Sequence, residues 1–441
     1  MLAGLLSNPL RAYAGLTARY GDAIQFPITL RRSAYLLSRP EHAEHVLAAN
    51  QDNYAKAFTY RPLRALIGDG LLTSEGERWR QHRRLAQPAF SRRQVTAYGA
   101  IMAAAAQSLA GRWDRLPDGS ALDVAGQMSR LALEIVGRAL FGTGLAEDAG
   151  QVSQAMNAGQ RVAVAATVLP LRWGPWSTRA VRAAARRLGG TPDGVQGPAS
   201  RIIAERRTAA SSNGPPRSDL LEVLLSGHDG DRLPLTEPEI ADEVATFLLA
   251  GHETSATALA WSLALLSAYP AAREQLEQEL DAVLGSRDPD PEDAAQLPWT
   301  RAVVAEALRL YPPAWTIERD ALAADEVGGV RIPAGSLVAV PPYLVHRHPE
   351  FWPNPAGFDP RRFLPGGPAD PATRHRYAFI PFGGGKRACI GASFAELETV
   401  LVLATIARRF RLELTAAGMP RPAAYVTLRP AGGLPMRLHH R

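Results

Sequence analysis

The only cysteine of the 441-residue chain, Cys389, lies in the run Phe382-Gly383-Gly384-Gly385-Lys386-Arg387-Ala388-Cys389-Ile390-Gly391. Glycine lets a backbone approach a flat or bulky group with no Cβ in the way. Lys386 and Arg387 favour thiolate over thiol and attract acidic groups. A lone cysteine by itself reads most simply as a buried structural residue. Three successive glycines and a Lys-Arg pair point instead to a loop built around a large anionic ligand. A second run, Phe247-Leu248-Leu249-Ala250-Gly251-His252-Glu253-Thr254-Ser255, sets an acid and a hydroxyl in the middle of an apolar helical pattern. Both are costly to bury without partners. Thr254 can bond back to the Ala250 carbonyl and loosen the helix, so on residues alone a polar kink competes on even terms with a catalytic pair. Trp79 and Arg83, four apart, share a helix face. A guanidinium there suits a carboxylate because its fork bonds both oxygens, although a plain amphipathic surface helix fits as well. Glu306 and Arg309, three apart, form another same-face pair, trivial if it lies at the surface.

The cysteine run resembles, position by position, the haem-binding loop of the cytochrome P-450 family, Phe-x-x-Gly-x-Arg-x-Cys-x-Gly. The resemblance implies haem b with Cys389 as its axial thiolate, Phe382 packed near the sulfur, and Gly383 and Gly391 bringing backbone N–H groups within reach of it. Ala250-Gly251-His252-Glu253-Thr254 is similar to the family's oxygen-activation motif, Ala/Gly-Gly-x-Asp/Glu-Thr. By that resemblance Thr254 steadies dioxygen and the waters that deliver protons, and Glu253 links those waters to bulk solvent. Ala250 and Gly251 then leave room beside the cofactor. Trp79, Arg83, Arg387 and Arg319 would meet the haem propionates; His346 is a further neighbour that, as a single histidine, reads better as packing. Glu306 and Arg309, completed by Arg362 of Pro360-Arg361-Arg362-Phe363, resemble the family's buried structural triad. Arg361 replaces the commoner Glu, which removes one local charge pairing.

Family analogy puts Phe58, Leu71, Leu72, Phe247, Leu249, Trp315, Thr316 and Val426 in the pocket walls. Such a set suits a lipophilic terpenoid, fatty acyl or polyketide-like substrate. The expected activity is insertion of one oxygen atom of O2 into that molecule, as hydroxylation or epoxidation. A same-fold peroxygenase or substrate-rearranging haem enzyme is the alternative, disfavoured by the Glu253-Thr254 pair; a non-enzymatic haem protein is a third. With no flavin- or iron–sulfur-binding extension, electrons would come from a separate ferredoxin and ferredoxin reductase. Lys386, Arg387 and the arginines at 80, 83 and 84 are the candidate docking cations.

Composition bounds these readings. Apolar residues make up 46% and charged residues 21% of the chain, an ordinary globular balance. One cysteine excludes an intrachain disulfide. The first residues carry neither a signal-peptide layout nor an apolar run long enough for a membrane helix, so a cytoplasmic monomer without a membrane anchor is expected. The net charge is +6, yet of 49 basic residues only Lys56 and Lys386 are lysine. The arginines are scattered rather than gathered into a stripe, which argues against nucleic-acid binding. No histidine spacing or phosphate-binding loop suggests other metal or nucleotide chemistry.

The elements that must position these residues follow from periodicity. Two short strands are expected within 22–39, then helices over 41–49, 76–86, 92–116, 122–141, 148–167 and 175–207. The longest helix is predicted over 236–268, stopping near Pro270, and another over 297–310. A hairpin is expected between 328–332 and 337–340, turning through Pro333-Ala334-Gly335. A Pro/Gly-rich meander at 352–388 precedes a last helix over 391–409. The fold class is mainly α with a smaller β region at about 22–40 and 326–342. The expectation is a single domain over 1–441, with the haem between the long helix and the helix after Cys389.

Overall fold

A computed structural model describes residues 8–29, 32–145, 149–168, 175–188, 195–211, 218–227, 234–367, 370 and 372–441. Its axis is the helix Glu237–Ala268, which starts on a capping box between Thr236 and Glu239 and is buried over most of its circumference. Leucine and alanine supply both the propensity and the burial. Gly251 lies against the helix Val124–Phe141: a Cβ there would come within 2.8 Å of Val136. On another side the central helix meets Ala392–Arg409, the helix after the cysteine loop, which itself packs on Arg92–Trp113 through a Tyr98–Phe394 edge contact at 5.8 Å. These helices share one apolar core.

A five-stranded sheet forms the second region, in the order Ala23–Thr29, Arg32–Leu37, Leu337–Val340, Ile317–Ala321, Tyr54–Lys56. Its register sets Lys56 directly opposite Arg319. A smaller sheet runs Ser120–Asp123, Pro435–His440, Phe410–Leu414. A two-stranded hairpin, Pro422–Ala424 with Leu428–Pro430, lies against the central helix, where the Trp261 indole donates to the Leu428 carbonyl at 2.8 Å. No described helix is long and apolar enough to cross a membrane.

Several expectations need correction. Val330–Ile332 does not pair with Leu337–Val340 through Pro333-Ala334-Gly335; it turns back on Asp325–Val327. Gly328 and Gly329, at φ 59° and 75°, give that tight turn its two left-handed positions. Leu337–Val340 pairs instead with Ile317–Ala321 and, in parallel, with Arg32–Leu37. The helix expected over 175–207 is two helices, Pro175–Arg187 and Gln196–Ser211, and residues 189–194 between them lie outside the described residues. The long helix does end before Pro270, but Pro270 opens a new helix to Leu284, because a first-turn position has no N–H bond to lose. The short helices Pro9–Tyr20, Arg61–Ile67 and Leu220–Ser226 were not expected.

Candidate active site

Cys389 follows a single 3-10 turn, Gly385–Arg387, whose shape needs glycine at specific places. Gly383 and Gly385 sit at φ 72° and 65°. A Cβ on Gly385 would overlap the Leu47 carbonyl oxygen, at 1.8 Å. The loop closes as Cys389 donates its N–H to the Phe382 carbonyl at 2.8 Å. Cys389 keeps exposed surface, although its sulfur is largely surrounded by protein. Burial raises the thiol above its ordinary value, while the Gly391 N–H and the Arg83 guanidinium pull the other way. Donors aimed at the sulfur stabilise its anion.

Around this loop the cations converge. Arg83 donates to the Ala388 carbonyl at 2.9 Å. Arg387 donates to the Ser74 carbonyl, pairs with Glu75 and stacks on the Trp79 ring at 4.3 Å. Arg319 is buried; it donates to the Glu318 carbonyl at 2.9 Å and bonds Tyr60. Lys56, across the sheet from it, packs over Tyr60. Burial, then Arg319 and Arg387, hold its ammonium well below the ordinary lysine range. Among the described residues, Lys56, Arg83 and Arg319 have no ion-paired carboxylate. The sequence reading missed Lys56; its signal was being one of only two lysines.

These residues fit a haem. The loop offers a soft thiolate donor for iron, and the cation cluster suits the two carboxylates of a porphyrin. No group of three or more His, Cys, Asp or Glu converges among the described residues, so a metal at Cys389 would bring its other ligands with it.

On the central helix, Thr254 Oγ1 donates to the Ala250 carbonyl at 2.6 Å, the back-bond anticipated from the spacing. Ser255, next along, donates to Glu398 of the cysteine-side helix at 2.7 Å. Phe247, two turns earlier, stacks on Phe90 at 5.5 Å, and Phe90 lies against Gly391. The run around Thr254 and the cysteine loop are thus tied together by side chains. A Cβ at Gly251 would meet Val136 at 2.8 Å, so this glycine lets the helix Val124–Phe141 pack closely. His252 meets that helix as well, within 2.7 Å of Ser129 Oγ. Glu253 faces a cleft of about 800 Å3, lined also by Arg130, Asn157, Arg161 and Arg429. Its carboxylate accepts from Thr427 Oγ1 at 2.9 Å and lies 3.7 Å from the Arg429 guanidinium.

Glu306 and Arg309 are fully buried and joined by two contacts, 2.6 and 2.8 Å; Arg362 lies 3.3 Å from Glu306. Arg309 also donates to the carbonyls of His346, Pro355 and Gly357, which gathers the meander onto the helix Pro298–Leu310. Losing one partner of such a buried pair costs about 3–5 kcal/mol. Arg361 does not lose its pairing: it bonds Asp359 at 2.8 Å. His346 packs, accepting from the Ile380 N–H at 2.8 Å. The pocket candidates fall into two groups. Phe58 and Trp315 gather near the hairpin, with the Trp315 indole on the Tyr425 carbonyl at 2.8 Å. Leu71, Leu72, Phe247 and Leu249 belong to the helical core. Thr316 has a buried hydroxyl without a partner, Val426 is half-buried, and none of the eight lines the cleft behind Glu253. The cations considered for docking are largely matched by acids: Lys386 by Asp52 at 2.6 Å, Arg80 by Glu77 at 2.7 Å, and Arg84 by Glu77 at 3.6 Å.

Comparison with known proteins agrees with this geometry. The cytochrome P-450 family model matches residues 6–432. Cyclooctat-9-en-7-ol 5-monooxygenase of Streptomyces melanosporofaciens is 35% identical over 92% of this chain and 86% of its own. Pentalenene oxygenase of Streptomyces avermitilis is 34% identical over 98% of this chain and 93% of its own. The crystal structure of the cytochrome P-450DA heme domain superposes with a TM-score of 0.85 at 27% identity, covering 98% of this chain and 93% of that one. The chain belongs to the cytochrome P-450 family. It is an oxidoreductase of the monooxygenase type, and the family implies haem iron and the use of O2.

Proposed function

We propose that the protein inserts one oxygen atom of O2 into an uncharged lipophilic molecule of terpenoid type, with haem b held by Cys389. Written for a hydroxylation, RH, O2, two electrons and two protons give ROH and H2O, the electrons arriving from a separate ferredoxin and its reductase. Bound haem would supply the redox chemistry, and its thiolate ligand favours O–O cleavage. Arg83, Arg319, Lys56 and Trp79 would hold its carboxylates.

The observation that carries this reading is the state of Glu253 and Thr254. Because the Thr254 hydroxyl gives its hydrogen to the Ala250 carbonyl, its oxygen is left as an acceptor that can fix a water or an O–H group. Glu253 reaches the cleft from the next position and can pass protons inward. A peroxide-using or rearranging enzyme has no need of such a pair. The substrate class rests on the names of the two Streptomyces relatives, which describe an alkenol and an alkene oxidation, and on the apolar candidates Phe58, Trp315 and Val426.

The test is Thr254→Ala in the haem-loaded enzyme, supplied with a ferredoxin, its reductase and a cyclic terpene. Reductant consumption should persist while product per reductant falls at least about tenfold. Equal product yield in variant and parent would refute the proton-delivery role. A reduced, CO-bound spectrum without the thiolate red shift would refute Cys389 as the ligand.

A further inference from the structure

We propose that Thr427 and Arg429, on the hairpin Pro422–Ala424/Leu428–Pro430, are positioning residues for Glu253. They hold its carboxylate toward the cleft and so set how much of the reductant ends in product. The inference rests on the monooxygenase reading above and adds to it the element that governs the acid.

Two side chains of the hairpin converge on one oxygen of the central helix. Glu253 Oε1 accepts from Thr427 Oγ1 at 2.9 Å and is the atom 3.7 Å from Arg429 Nη1. No described side chain is shown on Oε2, which leaves that oxygen for water in the cleft. Arg429 is itself held from two further sides: it donates to the Asn157 side chain on the helix Ala149–Val168, and it lies over the Tyr425 ring at 4.6 Å. Thr427 closes the bend at 425–427 and Arg429 lies on the strand Leu428–Pro430 that follows it, so one short segment carries both partners of Glu253.

The hairpin is a firm platform for them. The Trp261 indole donates to the Leu428 carbonyl and the Trp315 indole to the Tyr425 carbonyl, each at 2.8 Å, and the Leu428 N–H donates to Pro313 at 3.0 Å. A glutamate on a helix has several rotamers, and only some turn its carboxylate to the cleft. A hydroxyl and a guanidinium fixed on one of its oxygens select among them, much as outer-shell bonds orient a metal ligand. When protons reach the reduced oxygen at the wrong place, O2, two electrons and two protons leave as H2O2 and the substrate stays unoxidised. The partition between peroxide and product therefore reports how well Glu253 is held.

The experiment uses the haem-loaded enzyme as Thr427→Val and Arg429→Met, with Thr427→Ser and Arg429→Lys as conservative partners. Crystal structures of parent and variants read the Glu253 carboxylate directly, without turnover. It should occupy one cleft-facing position in the parent and shift or split in Thr427→Val and Arg429→Met. With a surrogate ferredoxin and reductase, peroxide formed per reductant consumed should rise about threefold or more in those two variants. Product kcat should fall at unchanged KM, and the serine and lysine variants should recover most of the loss. An unmoved Glu253, or a peroxide share equal to the parent's, overturns the proposal. So does a loss accompanied by disappearance of the thiolate-shifted CO band, which would mark a structural role. A parent that forms no product refutes the monooxygenase reading, while the crystallographic comparison still decides this one.

Discussion

Lys56 shows how far single residues are shaped by what the site must hold. It faces Arg319 directly across two strands, an arrangement that destabilises a sheet when both residues are charged. Burial first, then Arg319 and Arg387, disfavour its ammonium, with Glu75 opposing. A depressed lysine means that the unfolded chain binds the proton more readily than the folded one. Stability of the haem-free chain should therefore climb as pH rises from the lowered folded value toward the ordinary one near 10.5. Lys56→Met removes that dependence. We expect the variant to melt higher than the parent when haem-free at neutral pH, and to release haem several-fold faster when loaded, since haem carboxylates would repay the cation. Thermal unfolding of both forms and haem transfer to an acceptor globin measure the two effects. A haem-free variant less stable than the parent would contradict the account.

Among the elements, the contact between the central helix and the helix after the cysteine loop turns on Glu398. It is fully buried and accepts from Ser255, its Oε1 has no partner, and burial pushes its carboxyl up to about 8. The sign is the reverse of a salt-bridged acid. Between its ordinary value of 4.5 and about 8, the unfolded chain releases a proton that the folded chain keeps. Stability is then lost as pH rises through that window, by about 3 kcal/mol at pH 7. Glu398→Gln keeps an acceptor for Ser255 and cannot ionise. Its melting temperature should exceed the parent's at about pH 8 and converge with it near about pH 5; a constant difference would sink the argument. The same helices show what was legible in the chain. Gly76–Ala86 and Ala392–Arg409 are legible because local periodicity decides such helices. The hairpin at 328–332 is hard to place from sequence because Pro333-Ala334-Gly335 offers a competing turn signal to Gly328-Gly329, the pair with the right handedness. The motifs of Cys389, Glu253 and Glu306 were readable as short runs. Thr427 and Arg429 were not, because their partner Glu253 lies far away in sequence and only the folded chain joins them.

For the whole molecule, the excess of six positive charges does not translate into a bare docking patch. Of the candidate cations, Arg80, Arg84 and Lys386 share their surface with Glu77 and Asp52, so attraction of an acidic ferredoxin would be diffuse. Its reduction of the enzyme should slow with added salt, and Arg80→Glu with Arg84→Glu should lower the rate about tenfold at low ionic strength but little at high. Stopped-flow reduction at several salt concentrations measures this, and a flat salt profile would exclude these arginines from docking. The smaller sheet carries a different consequence. Its middle strand, Pro435–His440, bonds Ser120–Asp123 on one side and Phe410–Leu414 on the other. During synthesis, which runs from the N-terminus, the two outer strands emerge first and each waits with a bare edge. Such edges invite pairing with the wrong chain. The interval between the birth of Ser120–Asp123 and the arrival of Pro435–His440 is thus the period in which a ribosome-bound chain is most exposed to aggregation, and slow codons near its end would lengthen it.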